Sequence, residues 1–422
     1  MADRADTKPN THFDVSIVGG GLSGATLALA LARQGFSIAL VDALDPAVLR
    51  SAAFDGRTTA LAFATIRMFR RLDVWDDISP DAEPIRDILI TDGGLKSPSR
   101  RGGVADSFMH FDGDDLGGDG VLGWIVENRV IRNSLFDALE KTPNATIFAP
   151  IKVDETIFDK VSVRLKLSDH TELTSSLAIA ADGKKSSLAA AAGLRSFSWT
   201  YRQKGIVFAL GHEKPHHGVA QEYFLPGGPF AILPMTERRS SIVWTDRDDV
   251  ATGLEALGDS AFLEAAKLRF GDYLGEVHLA SRRWTYPLGL HFSERFVAPR
   301  LALVGDAARA IHPIAGQGFN LGLKDVAAIV DVLTGARKIG RDIGDLSVLQ
   351  EYDRWRRFDS TVLTLSTDFL NRFFSTDLAP LRAARRLGLS AINAMPPLKK
   401  TFMKESGADL GRLPELLQPE TS

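Results

Sequence analysis

The segment Leu301–Asp325, LALVGDAARAIHPIAGQGFNLGLKD, decides how this chain is organised. Leu301 to Val304 reads as a short apolar strand and Gly305-Asp306 as an acidic turn. His312-Pro313 reads as a proline-shaped loop, and Gly316 to Gly322 as the glycine-rich opening of a helix. A carboxylate at a strand end, followed by a helix N-terminus aimed into the same space, suits a ligand that offers hydroxyl groups and an electron-poor ring.

The matching half lies at the N-terminus. Asp14 to Val18 is a short β-rich run leading into Gly19-Gly20-Gly21-Leu22-Ser23-Gly24, so Gly19, Gly21 and Gly24 fill a GxGxxG pattern. Ala25 to Arg33 is a strong helix former, and Ser37 to Val41 is a second strand ending at Asp42. In such a unit the first glycine allows the tight turn, the second lets backbone approach a pyrophosphate, and the third lets helix pack on strand. Asp42 is placed to accept hydrogen bonds from an adenosine ribose. The alternative is a glycine-rich turn with no ligand, and the motif alone does not separate FAD from NAD.

The 422 residues allow about two to three domains. A hydrophobic fraction of 45% with 24% charged residues is that of a globular protein, and a net charge of −3 gives no reason to expect nucleic acid. With no cysteines, disulfides, thiolate catalysis and Cys-ligated metals are excluded, which fits a reducing compartment and a cytoplasmic location. Residues 1–12 are polar, so no signal peptide is expected. Val15 to Ala32 runs 18 residues without a charge, the length of a marginal membrane span. Its glycine triplet and strand-turn-helix pattern argue instead for a buried first βα unit.

Further along, Arg57 to Leu72 reads as one amphipathic helix. Residues 92–120 read as loops around a short strand, Ser107 to Phe111. Trp124 to Val126 is a strand and Arg129 to Leu139 a helix. Several short β runs follow between 145 and 181, the last leading to Asp182-Gly183. Residues 202–290 are β-rich, with strands expected at Gly205–Leu210, Glu222–Leu225, Phe230–Leu233 and Ser241–Trp244, interrupted by one helix, Ala261–Phe270. Glu351 to Phe374 reads as one long helix. The expected fold class is therefore α/β. A Rossmann-like nucleotide-binding domain is assembled from 12–80, 120–200 and 295–340. A β-sheet substrate domain, 81–119 and 201–294, is inserted in it, and a helical C-terminal region covers 341–422.

Three separated segments resemble the fingerprints of the class A flavoprotein monooxygenases, which share the fold of para-hydroxybenzoate hydroxylase: Gly19/Gly21/Gly24, Asp182-Gly183 with Ser186, and Gly305-Asp306. Within that class, several strings resemble the aerobic ubiquinone-biosynthesis hydroxylases. They are Val126-Glu127-Asn128-Arg129-Val130, Phe224 to Phe230 (FLPGGPF), His312 to Gly322 (HPIAGQGFNLG), Tyr352 to Arg357 (YDRWRR) and Pro396-Pro397-Leu398-Lys399. The likeness runs from about Asp14 to Lys404. Arg309 departs from it, standing where many relatives carry His or Gln, and Lys184-Lys185 precede Ser186.

The resemblance implies non-covalent FAD, reduction by NAD(P)H as co-substrate, and reaction with O2 to a flavin hydroperoxide that hydroxylates an electron-rich ring. The substrate it implies is a polyprenyl phenol of ubiquinone biosynthesis, with no metal. A soluble aromatic substrate and a flavin-dependent isoprenoid or quinone reductase are the alternatives. The implied cofactor-binding residues are Gly19, Gly21, Gly24, Asp42, Arg57, Arg129, Asp182, Asp306, Gly316, Gly318 and Asn320, with Pro313 and His312 beside the flavin ring. The helix opening at Gly316 would stabilise negative charge at the flavin N1–C2=O edge.

Simpler readings stand beside these. Asp306 could be a helix cap, Asp182 a turn former, and Arg57 and Arg129 solvated charges. His312 could make a structural hydrogen bond in its loop. His212, His216 and His217 read as a solvated loop rather than a metal cluster. Phe224, Phe230, Ile232 and Pro234 alternate and could line an apolar cavity or simply pack a sheet. No general base is identifiable, with Tyr223 and His312 the only guesses. Leu378 to Met395 carries Arg382, Arg385 and Arg386, and Lys399, Lys400 and Lys404 follow. Such a basic amphipathic surface could dock peripherally on the inner face of a membrane or into a ubiquinone-biosynthesis multi-enzyme assembly.

Overall fold

The computed structural model of the protein describes residues 12–50, 54–92, 108–116, 120–225, 227–312, 316–374 and 413–419. Its first sheet holds five parallel strands in the spatial order Leu301–Leu303, Glu172–Ala180, His12–Val18, Ile38–Val41, Ala145–Phe148. Val15, Ile17, Ile38, Leu40, Leu177 and Ile179 are fully buried, as expected of parallel strands covered on both faces. The helix Leu22–Arg33 packs against Asn128–Glu140 and Gln317–Lys338. Every residue from Gly24 to Ala32 is buried. The charge-free stretch is thus a core helix, and among the described residues no helix is long and apolar enough to cross a membrane.

Register places the ends of these strands at one edge. Val18 lies opposite Ala180 and Val41, and Ala180 opposite Leu303. Gly19, Asp42, Asp182 and Gly305-Asp306, scattered over nearly three hundred residues, therefore follow the carboxyl ends of neighbouring strands, where open α/β sheets bind their ligands.

The expected helix over Arg57–Leu72 is two elements, the strand Thr58–Leu61 and the helix Phe63–Arg71. Thr58 to Leu61 pairs antiparallel with Glu127 to Trp124, and this distant partner overrides the local helical spacing. With Glu83–Ile85 these strands form a small three-stranded sheet. A strand at Asp87–Asp92, not read from the sequence, pairs with Phe108–Asp112, and two helices, Asp248–Glu255 and Asp259–Phe270, stand where one was expected. The long C-terminal helix spans Leu346–Phe374.

The inserted sheet has nine strands. Its main path runs Arg309–Ala310, Trp284–Ser293, Ser196–His212, Arg239–Arg247, Gly228–Met235, Val219–Leu225, Asp87–Asp92, Phe108–Asp112. Its two faces differ in what covers them. The outer face carries Phe208, Tyr223, Phe230, Ile232 and Trp244, packed with Phe262 and Ala251 of the two inserted helices. The inner face presents Ala209, Ala220 and Met235 to Ile85, Ile125 and Ala60 of the small sheet.

Candidate active site

At the first turn Gly19 has φ +107°, and a Cβ there would lie 2.4 Å from the Ala181 carbonyl oxygen. A Cβ on Gly24 would lie 1.8 Å from the Gly19 carbonyl oxygen, so the helix sits directly on the turn. Gly21 is exposed at the helix N-terminus, with nothing within 4 Å of its Cβ position. Asp42 closes the turn from the second strand. Its carboxylate accepts from the Gly20 amide and, at 2.7 Å, from the Leu44 amide.

Two arginines flank this edge. Arg57 is half-exposed and bonds Asp55, its Nη2 at 2.7 Å from Oδ2. Arg132, which the sequence reading passed over, is buried, with Nη2 3.8 Å from the same Asp55 oxygen. Burial pushes its guanidinium down, Asp55 and Asp42 counter that, and Arg57 adds to it, so all four share one electrostatic neighbourhood. Its one legible signal was its place three residues after Arg129, on the same helix. Arg129 donates from Nε to buried Glu127 at 2.5 Å, and Glu127 reaches Arg239 of the inserted sheet at 3.0 Å.

Asp182 accepts from the Ser187 amide at 2.9 Å through Oδ2, while its buried Oδ1 has no hydrogen-bond partner among the described residues. Asp306 opens to solvent yet is ringed by protein. That environment raises its carboxyl, against the opposing charges of Lys184, Arg309 and His291. His291 is a neighbour that no sequence motif announced. It is buried, its Nδ1 is 3.0 Å from Ser198 Oγ, and strand pairing sets it opposite Ala310.

Behind this turn lies a buried charge cluster. Asp325 receives two bonds from Arg309, one from Arg356 Nε at 2.9 Å and one from the Gly305 amide at 3.1 Å. Arg309, the departure noted in the sequence, has a full partner.

Gly316 caps the helix Gln317–Lys338 with φ 62°, and a Cβ there would sit 3.3 Å from Ala60 Cβ. Gly318 is exposed with open space around it. Asn320, expected at the cofactor, is buried and spends its side chain on protein. Its Oδ1 accepts from the Ala62 amide (3.1 Å) and Thr65 Oγ1 (2.8 Å), and its Nδ2 donates to the Ala60 carbonyl (2.8 Å). It ties the helix opening to the strand–helix junction at Ala62. His312 is fully buried, and among the described residues neither ring nitrogen has a hydrogen-bond partner, so the structural hydrogen bond expected of it is not found there. Burial pushes its imidazole down to about 4, partly offset by Asp368. Its ring stands edge-on to Tyr201, 5.2 Å between centroids. Pro313 lies outside the described residues, as do the basic residues of 378–404.

The inner face of the inserted sheet connects to this edge through the small sheet, whose Ala60 lies beside the Gly316 cap. Its first row, Ala220–Leu233–Ser241–Ala209, rests on the small sheet, with Ser241 Oγ 3.0 Å from Thr58 Oγ1. The next row is Glu222–Ala231–Val243–Val207. Glu222, Val243 and Val207 are only half-buried, whereas the opposite face is fully packed, so this row borders open space. Of the four alternating apolar residues, Phe230 and Ile232 belong to the outer core, and Pro234 shares their parity. Only Phe224 turns inward, since pairing gives adjacent residues opposite faces and Tyr223 is in the outer core.

His212 and His216 are buried rather than solvated, with all four ring nitrogens bonded to protein. Tyr223 packs in the outer core and donates to Gln221, which removes it from the reaction space. Asp87, His110 and Asp112 bring potential ligand atoms within 4.8 Å of one another at the sheet's far edge, where His110 Nε2 meets Asp87 Oδ1 at 2.6 Å.

The edge fits FAD. The open helix N-terminus at Gly21 suits a pyrophosphate, the unpartnered Asp182 Oδ1 and the accessible Asp306 suit hydroxyls, and the left-handed Gly316 brings backbone close to a flat ring.

The profile of the FAD binding domain family matches residues 12–358. The chain is 42% identical over 402 residues to the ubiquinone hydroxylase UbiL of Rhodospirillum rubrum, covering 95% of this chain and 91% of that protein. It is 31% identical over 397 residues to the 3-demethoxyubiquinol 3-hydroxylase of Escherichia coli, covering 94% and 98%. Among solved structures, p-nitrophenol 4-monooxygenase PnpA from Pseudomonas putida superposes with TM-score 0.78 at 19% identity, over 95% of this chain and all of that one.

Proposed function

Because the chain belongs to the FAD binding domain family, together with the ubiquinone hydroxylases that resemble it over nearly their whole length, we propose that it hydroxylates the aromatic ring of a polyprenyl phenol in ubiquinone biosynthesis. It would consume NAD(P)H and O2. The observation that carries this reading is the strand-end edge that gathers Gly19, Asp182, Asp306 and the Gly316 helix opening; the half-buried, mostly apolar row Glu222–Ala231–Val243–Val207, one row past the small sheet whose Ala60 lies beside Gly316, would form the wall across from it. An apolar-walled space beside a dinucleotide edge suits a greasy phenol held against a flavin.

When bound, FAD supplies the electron transfer from NAD(P)H and the activation of O2. The chain's own residues do the rest. The helix N-terminus at Gly21 and the arginines Arg57, Arg129 and Arg132 hold the phosphates and ribityl chain. Asp42 takes the adenosine ribose, and Asp182 and Asp306 take hydroxyls. The backbone amides opening at Gly316 and Gly318 favour negative charge at the ring edge. The inner sheet face would exclude water and orient the phenol. Docking of residues 378–404 on lipid or on a multi-enzyme assembly would bring the polyprenyl substrate to this space.

The test is oxygen uptake by the FAD-loaded protein with NAD(P)H, with and without a short-tail polyprenyl phenol, and the product analysed by mass. Substrate-stimulated uptake and a product heavier by one oxygen atom are expected. Hydride transfer to substrate without oxygen insertion would replace this reading with a reductase.

A further inference from the structure

One titratable group on the inner face has no structural employment. Glu222 forms no hydrogen bond or ion pair among the described residues. Its strand neighbours on that face are Ile90 on one side and Ala231 on the other, with Met109 beyond Ile90. No charged group contributes to its ionisation, and burial alone pushes its carboxyl up to about 7. A carboxylate left unpaired in an apolar wall costs stability, so folding does not account for it.

Its position is set by register. Ala220 packs in the same cluster as Ala60, the residue that also touches the Gly316 cap. Glu222 is two residues further on the same face, about 7 Å along the strand, in the first row past the contact with the small sheet. It thus stands on the half-buried row that the proposed function makes a wall of the phenol's space.

We infer that Glu222 is the general base of the hydroxylation: its carboxylate accepts a hydrogen bond from the substrate's phenol O–H and takes that proton as the ring carbon bonds to oxygen. The phenol O–H bond breaks and its electron pair moves into the ring as the ring carbon bonds to one oxygen atom of O2, activated with the two electrons of NAD(P)H. The O–O bond breaks, and the negative charge passes from the carboxylate, now a neutral carboxylic acid, to the departing oxygen, which is protonated and leaves as water; loss of the ring C–H proton restores aromaticity. This rests on the hydroxylase reading. Tyr223, its neighbour in sequence, cannot serve, because it faces the outer core and burial raises its hydroxyl further.

The test uses the full-length FAD-loaded protein, NAD(P)H, a short-tail prenylphenol and its methyl ether. In the wild type, kcat/KM for hydroxylated product falls as pH drops below about 7. Glu222→Gln removes that limb and lowers hydroxylated product by about 100-fold, the usual weight of a positioned base. FAD content and the rate of flavin reduction stay near wild type, NAD(P)H oxidation diverts to hydrogen peroxide, and Glu222→Asp recovers part of the product. Binding followed by the flavin absorbance gives a second readout that needs no variant. The wild type's preference for phenol over methyl ether rises as pH passes through about 7. Unchanged coupling and pH limb in Glu222→Gln, or a phenol preference indifferent to pH, overturns the inference alone. A wild type that hydroxylates no phenol overturns the functional reading and this inference with it.

Discussion

Arg309 and Asp325 form a two-pronged ion pair in the dry interior, Nη1 to Oδ2 at 2.6 Å and Nη2 to Oδ1 at 2.9 Å, with both side chains almost wholly out of solvent. The same carboxylate holds the Gly305 amide, so the pair fixes the turn that presents Asp306. Without Arg309 the Asp325 carboxylate keeps Arg356 and the Gly305 amide but loses two charge-assisted hydrogen bonds. Arg309→Met is therefore expected to cost about 2–3 kcal/mol in chemical denaturation. The double variant Arg309→Met/Asp325→Leu should cost less than the sum of the singles, which a double-mutant cycle measures.

Asn320 anchors the helix opening by three hydrogen bonds to residues about 260 positions earlier. Asn320→Ala strands the buried Ala62 amide and removes the donor to the half-buried Ala60 carbonyl. A loss of about 1–3 kcal/mol follows, with weaker FAD retention on gel filtration, because Gly316 and Ala60 no longer hold register.

Two glycines in one motif should behave differently. A methyl at Gly24 collides with the Gly19 carbonyl, whereas one at Gly21 meets no protein atom. Gly24→Ala is therefore expected to lower the melting temperature of the FAD-free protein. Gly21→Ala should leave that temperature unchanged and weaken FAD binding, since its methyl would occupy ligand space. Thermal melts and FAD titrations of both variants separate the two roles.

His312 gives the fold a pH dependence with a definite sign. Its imidazole titrates at about 6.5 in the unfolded chain and about 4 in the folded one. The unfolded state therefore binds the proton first on acidification. The stability contribution is complete above pH 6.5 and is lost as pH falls towards 4, amounting to about 3 kcal/mol at most. His212, His216 and His291 are lowered by burial too and add slope of the same sign. Urea midpoints between pH 4.5 and 7.5 should fall less steeply for His312→Phe than for the wild type.

Read by itself, the sequence determined whatever depends on neighbours within a turn or two of chain. The strand–glycine–helix unit at Gly19 to Gly24 was legible because the glycine spacing is itself the local geometry, and the helix over Glu351–Phe374 because its spacing runs unbroken. The split nucleotide fold followed from where such units recur. What only the tertiary structure decided depends on distant partners. Thr58–Leu61 is a strand because Gly123–Glu127 lies beside it. Asn320 is a tether because Ala60 to Thr65 reaches it, and Arg309 belongs because Asp325 faces it across a turn of chain. The strand at Glu222–Leu225 and the alternation of Phe224, Phe230, Ile232 and Pro234 were visible, but which face they serve was not. A period of two says that Tyr223 and Glu222 face opposite ways, while only the helices packed on one side and the small sheet on the other decide which residue enters the outer core and which does not.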